Sequence, residues 1–164
     1  MPAAIVIASL LATVNVYESK REAITEGDAT LRCEPDVAYR AATDYARWSD
    51  IFRNVRGAQI KARRGDEARV TIVHDDGSHD DLHFVNRSDT RRVWFEQIGG
   101  EAEVWCEIAF VPGAQPGKTR VHTWFHADVT GPKSWVVHDG KIRRLRQQQV
   151  RDDLQQLVAY FSRR

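Results

Sequence analysis

Cysteine is scarce in this chain: Cys33 and Cys106 are the only two in 164 residues, and neither belongs to a CxxC or Cys/His spacing. Nothing in that spacing suggests zinc, and two buried free thiols are the expectation. A disulfide stays open for an exported protein. Charge of one sign is lacking as well. Lys and Arg number 24 against 23 Asp and Glu, so bulk charge steers the protein toward neither nucleic acid nor membrane. There is no glycine-rich phosphate loop, no Gx-Ser-xG elbow and no Cys and His arranged as an obvious nucleophile pair. No repeat, low-complexity tract or linker divides the sequence. A chain of 164 residues, 42% apolar, makes one domain with a single core.

Residues 1–14 are an uncharged apolar block, too short for a bilayer crossing of about 20 residues. Its length suits the apolar part of a signal peptide, but no Lys or Arg precedes it. The alternative is a first element packed on the domain that occupies residues 15–164. Exported and cytoplasmic locations both stay open.

What is present is a long series of short strand patterns. They run over Val55–Arg63, Ala68–His74, Asp81–Arg87, Thr90–Ile98, Ala102–Val111 and Thr119–Val129. The breaks between them, such as Arg64-Gly65-Asp66, Asp75-Asp76-Gly77-Ser78 and Gly99-Gly100, are turn residues at hairpin spacing. Connections so short demand antiparallel pairing. Val14 to Cys33 reads as extended structure with a turn near Glu26-Gly27. Pro35, flanked by Glu34 and Asp36, then starts a short helix pair ending near Phe52. Gly131-Pro132 closes the last strand, and from Lys133 a helix can run to the C-terminus, with a break allowed at Asp139-Gly140.

Alternation assigns one face of the strands to the core: Ala58/Ile60/Ala62, Val70/Ile72, Leu82/Phe84, Val93/Phe95, Cys106/Ile108/Phe110 and Val121/Thr123/Phe125. On the terminal helix, Ile142, Leu145, Val150, Leu154, Leu157, Val158 and Phe161 form an apolar stripe that must find a partner. The concave face of the sheet is that partner. The fold class expected is therefore α+β: a helix-grip fold, with a curved antiparallel sheet of about seven strands around one long C-terminal helix and two short helices after the first strand. Trp94, Trp105, Trp124, His122 and His126 fall on the other face. An N-terminal segment or a second subunit covers them, or the face assignment is inverted there.

The segment Thr43-Asp44-Tyr45-Ala46-Arg47-Trp48-Ser49-Asp50-Ile51-Phe52 resembles the helix-two segment of the START-like (SRPBCC) superfamily. That superfamily includes the birch-pollen-allergen type and the polyketide cyclase/dehydrase and lipid-transport group. Gly131-Pro132-Lys133-Ser134-Trp135-Val136-Val137 is similar to the lead into its long helix. The resemblance covers roughly residues 20–162 and implies a ligand-binding helix-grip domain, while being nearly silent on activity. Ser49 and Arg53 stand where prolines are usual, unlike the coenzyme Q-binding branch. It carries over no catalytic residues.

Trp48, Phe52 and Trp135 are expected near the mouth of an internal cavity, as ligand contacts or as interelement packing. Ile72, Phe84, Phe95, Ile108, Phe110 and Phe125 are expected on its wall, with Thr123 as a polar anchor or a packed threonine. The run His74 to His83 is dense in His and Asp, yet alternation sends His74 to one face and His79 and His83 to the other. A solvated polar turn, not a metal site, is the reading. His122 and His126 are surface or interface histidines unless the faces are inverted. Lys141, Arg143, Arg144, Arg146 and Arg151 read as a solvated helix face partnered by Asp152 and Asp153.

The first functional reading is a non-catalytic carrier that sequesters a lipid, isoprenoid or polyketide-like molecule. The second is a cyclase/dehydratase-type enzyme acting in the same cavity. The third is an interaction module using the outer tryptophans. No cofactor and no nucleic acid are expected; transient membrane contact and a monomer or homodimer are compatible with the sequence.

Overall fold

The structure, a computed structural model, describes residues 13–130 and 139–163. Eight strands form one antiparallel sheet: β1 (Asn15–Glu18), β2 (Ile24–Leu31), β3 (Val55–Arg64), β4 (Glu67–His74), β5 (His79–Arg87), β6 (Arg92–Gln97), β7 (Ala102–Pro112) and β8 (Thr119–Val129). Their order across the sheet is β1-β2-β8-β7-β6-β5-β4-β3. Helix α1 (Pro35–Thr43), a 3₁₀ turn (Tyr45–Arg47) and α2 (Trp48–Ile51) carry the chain from β2 to the far edge. Helix α3 (Asp139–Ser162) returns over the concave face. The helix-grip expectation is met, and the lead of the long helix at 131–138, Trp135 included, lies outside the described residues.

The strand count differs from expectation at the N-terminal end. The turn falls at residues 19–23, and Glu26 and Gly27 lie inside β2. Gly27 is there for packing. A Cβ on it would come 2.5 Å from Val150 Cγ1 and 2.7 Å from Leu154 Cδ1 of α3. The missing side chain lets the helix rest directly on the strand.

The buried stripe of α3 is Ile142, Arg146, Val150, Leu154, Leu157 and Phe161. Leu145 is instead 57% exposed. Arg146, read from sequence as solvated, is 6% exposed. Its guanidinium donates to Thr25 Oγ1 at 3.2 Å, to the Ala127 carbonyl at 3.1 Å and to Glu18 Oε2 at 3.1 Å. One cation thereby pins the helix to β1, β2 and β8. A four-residue step from Ile142 to Val150 requires position 146 to be inside, whatever its polarity.

The core face is as alternation predicts on β4 to β8, where Val70, Phe84, Val93, Phe110 and Val121 are all buried. Edge strand β3 departs from it. Ile60 is 52% exposed and Ala62 is exposed, because the register shifts between Val55 and Gly57 and again between Ile60 and Ala62. Such bulges turn a strand's side chains away from the face they would otherwise share. At the opposite end, Arg91 in the β5–β6 turn pairs with Asp36 in the first turn of α1.

A cavity between the long helix and the sheet

Aromatic rings build one corner of the interior. Trp48 is buried, its indole Nε1 donating to the Ala42 carbonyl at 3.0 Å. Its ring meets Phe52 at 5.3 Å, Phe84 at 5.5 Å and Phe95 at 6.4 Å, all edge-on. Edge-to-face contacts of this kind fix ring orientation as well as bury area. The hydrogen bond to α1 makes Trp48 a rigid wall.

Beyond that corner lies a cavity of about 280 Å³ between α3 and the sheet. Trp48, Phe52, Ile72, Phe95, Ile108, Phe110, Thr123 and Phe125 line it. Val150, Leu154 and Leu157 close it from the helix. Phe84 stands behind the wall in the aromatic cluster, 5.1 Å from Phe95. The residues expected to share an interior space therefore do so, apart from Phe84, which backs it, and Trp135, which is not described.

Two polar stations interrupt the apolar lining. At one, Gln149 Nε2 donates to Asp153 Oδ1 at 2.9 Å, while across the space Cys106 Sγ touches Thr123 Oγ1 at 3.4 Å. Burial raises the Asp153 carboxyl to about 7, against a smaller lowering by the Gln149 amide. Asp153 is half-buried and is one of the residues that line the cavity. Burial likewise pushes the Cys106 thiol up to about 12, with a further push from the Asp153 charge. At the other station His74 Nε2 lies 2.7 Å from Asp80 Oδ2, and Gln97 donates to Asp80 Oδ1 at 3.3 Å. All three residues line the cavity.

These stations correct two sequence readings. His74 and Asp80, read as part of a solvated turn, are only partly so: their side chains are 21% and 42% exposed. Register pairs Ile72 with Asp80 and Val73 with His79, which turns His74 and Asp80 toward the cavity and leaves His79 and His83 on the opposite face to His74, as alternation predicts. Asp153 does not partner the basic helix face, because Gln149 and Asp153 sit one turn apart on the flank beside Val150 and Leu154. Two polar residues four apart at the margin of the apolar stripe were the available signal. Among the described residues, no three His, Cys, Asp or Glu side chains gather as a metal site needs, and both cysteines are free.

The outer face keeps its tryptophans, so the strands are not inverted. Trp105 stacks on His126 at 5.5 Å, and His122 lies 4.2 Å from Trp124 and 3.0 Å from Glu26. Arg92 covers Trp124 at 5.6 Å and pairs with Glu107. These half-buried rings are partnered by their own strands. An open groove of about 680 Å³ beside α1 is lined by mixed charges including Arg40, Asp44, Arg63 and Asp66. No helix among the described residues is long and apolar enough to cross a membrane.

The sequence profile of the family described as "Polyketide cyclase / dehydrase and lipid transport" matches residues 22–162. No curated protein matches the sequence. Among solved structures, the di-domain ARO/CYC BexL from the BE-7585A biosynthetic pathway is 17% identical with a TM-score of 0.74, over 85% of this chain and 46% of its own. The chain thus spans about half the length of that relative. The ZhuI aromatase/cyclase from Streptomyces sp. R1128 is 13% identical with a TM-score of 0.70, over 86% of this chain and 94% of its own. Ara h 8.0201 is 10% identical with a TM-score of 0.64, over 93% of this chain and all of its own. At such identities the likeness is one of fold.

Proposed function

The chain belongs to the polyketide cyclase/dehydrase and lipid transport family, and from that membership and the cavity we propose that it carries or sequesters a hydrophobic small molecule between α3 and the sheet. The observation that supports this most is a largely apolar, aromatic-walled space between the helix and the sheet, bordered by the buried core cluster. Its volume of about 280 Å³ lies near the lower end of ligand pockets, roughly 300–1,000 Å³. A compact ring system or one short chain suits that size. Affinity comes from apolar area removed from water, at about 25 cal/mol per Å², with Trp48, Phe52, Phe95 and Phe125 supplying much of the contact.

The test is fluorescence of N-phenyl-1-naphthylamine with the full chain, alongside native mass spectrometry of the purified protein. Saturable enhancement, or a co-purifying hydrophobic ligand, is expected. Absence of both overturns the reading.

A cyclase/dehydratase-type enzyme is the second reading, and His74 favours it: a histidine held by a carboxylate on a cavity wall can take a proton from a ligand within about 3 Å. Two of the structural neighbours are aromatase/cyclases by name. Conversion of a poly-carbonyl substrate that His74→Ala abolishes would establish it over the carrier. The wall around His74 is otherwise mostly apolar and aromatic, so the carrier reading stands first.

A further inference from the structure

We propose that the cavity selects hydrophobic molecules carrying a hydroxyl or amine and rejects carboxylates, with Asp153 accepting the ligand's hydrogen bond. The proposal rests on the binding function above and names the ligand class of that same site.

The first ground is the sign of charge in the wall. Among the described lining residues, the ionisable groups are Asp80, Asp153, His74 and Cys106, and there is no Lys or Arg. A ligand carboxylate would enter a largely apolar space beside two carboxyl groups, with no Lys or Arg among the described lining residues to meet it, and buried charge without a partner is strongly disfavoured. The nearest buried cation on the same helix, Arg146, points the other way and is held by Glu18, Thr25 and Ala127.

The second ground is the state of the two acids. Both oxygens of Asp80 are occupied, Oδ2 by His74 and Oδ1 by Gln97. Asp153 uses only Oδ1, toward Gln149. Its Oδ2 has no hydrogen bond to a described residue and belongs to a side chain on the cavity wall. Asp153 is half-buried, and an acceptor on the cavity wall that no described residue engages is a place where a ligand O–H or N–H can bind. Aromatic walls beside it also suit a cationic nitrogen.

The groups that face Asp153 are few. Helix α3 presents Gln149, with Asp152 exposed beside it. Strand β7 presents Cys106 and β8 presents Thr123, and β4 and β5 present His74 and Asp80 at the other station. Burial holds Asp153 near neutrality, to about 7. An amine binds the ionised form, so its affinity rises as pH climbs through that value. A hydroxyl ligand, able to donate to either form, changes less.

Competition against N-phenyl-1-naphthylamine tests this with four probes of similar size: naphthalene, 2-naphthol, 2-(aminomethyl)naphthalene and 2-naphthoate. At pH 8 the naphthol and the amine are expected to displace the reporter at concentrations at least tenfold below naphthalene, and naphthoate at least tenfold above it. In Asp153→Asn, the amine should lose its advantage and its rise in affinity between pH 6 and 8. Naphthoate competing as well as naphthol, or an unchanged order in a folded Asp153→Asn, overturns the proposal. The wild-type ranking tests it even should the variant fail to fold. A reporter that does not bind at all removes the binding function and this inference together; a bound reporter with no ranking removes the inference alone.

Discussion

Asp153 shows how much one side chain can tell when its surroundings are known. Its carboxyl is raised from 3.8 to about 7 by burial, so the folded chain holds that proton more tightly than the unfolded chain. Its contribution to stability is full below about pH 4 and is lost as pH climbs toward 7. One pKa unit is about 1.4 kcal/mol, and contact with the cavity reduces the full value, leaving about 1–3 kcal/mol. Asp153→Asn should therefore melt with the wild type near pH 4 and several degrees above it at pH 8, since about 1 kcal/mol shifts a domain of this size by 2–4 °C. Thermal melts at the two pH values check it. Cys106 belongs to the same neighbourhood: with its thiol pushed to about 12, it should resist iodoacetamide at pH 8 in the native state and react in urea. Sequence could place Cys106 in a strand, but not Asp153 in the interior, because a charged residue beside Asp152 on a basic helix reads as solvated until the helix is rotated into place.

That rotation is set at the level of elements. Apolar spacing gave α3 its stripe correctly at Val150, Leu154, Leu157 and Phe161 and misplaced it at Leu145, where hydrophobicity pointed inward and geometry points to Arg146. No propensity scale favours a buried arginine; Glu18 and Thr25, more than a hundred residues away, and the Ala127 carbonyl make it tolerable. Removing one partner of a buried pair costs about 3–5 kcal/mol. Arg146→Met should fall at the low end, since Glu18 stays partly exposed at 27%, and urea denaturation reads the loss directly. Gly27 is the complementary case. Read as turn material, it marks the place where strand and helix touch, and Gly27→Ala should cost about 1–3 kcal/mol by overpacking against Val150 and Leu154. A loss in the double variant Gly27→Ala/Val150→Ala well below the sum of the two singles would identify that clash as the cause.

For the whole molecule, hairpin spacing carried most of the topology into view. Turns too short for crossovers leave a meander from β3 to β8 no other order, and a final amphipathic helix can only return to the concave side. What spacing cannot state is how full the interior is, because packing density depends on where helix and sheet come to rest. Wall atoms that face unfilled space lose packing contacts, so tighter packing of the apolar part of the 280 Å³ cavity would recover stability. Ile108 sits on β7 between Val93 and Thr123, with its side chain on the cavity wall. Ile108→Trp places an indole in that space. The variant should melt no lower than the wild type and lose at least tenfold in affinity for N-phenyl-1-naphthylamine. Leu145→Ala, on the exposed side of α3, should change neither. A filled variant that still binds the reporter would move the binding site out of the interior.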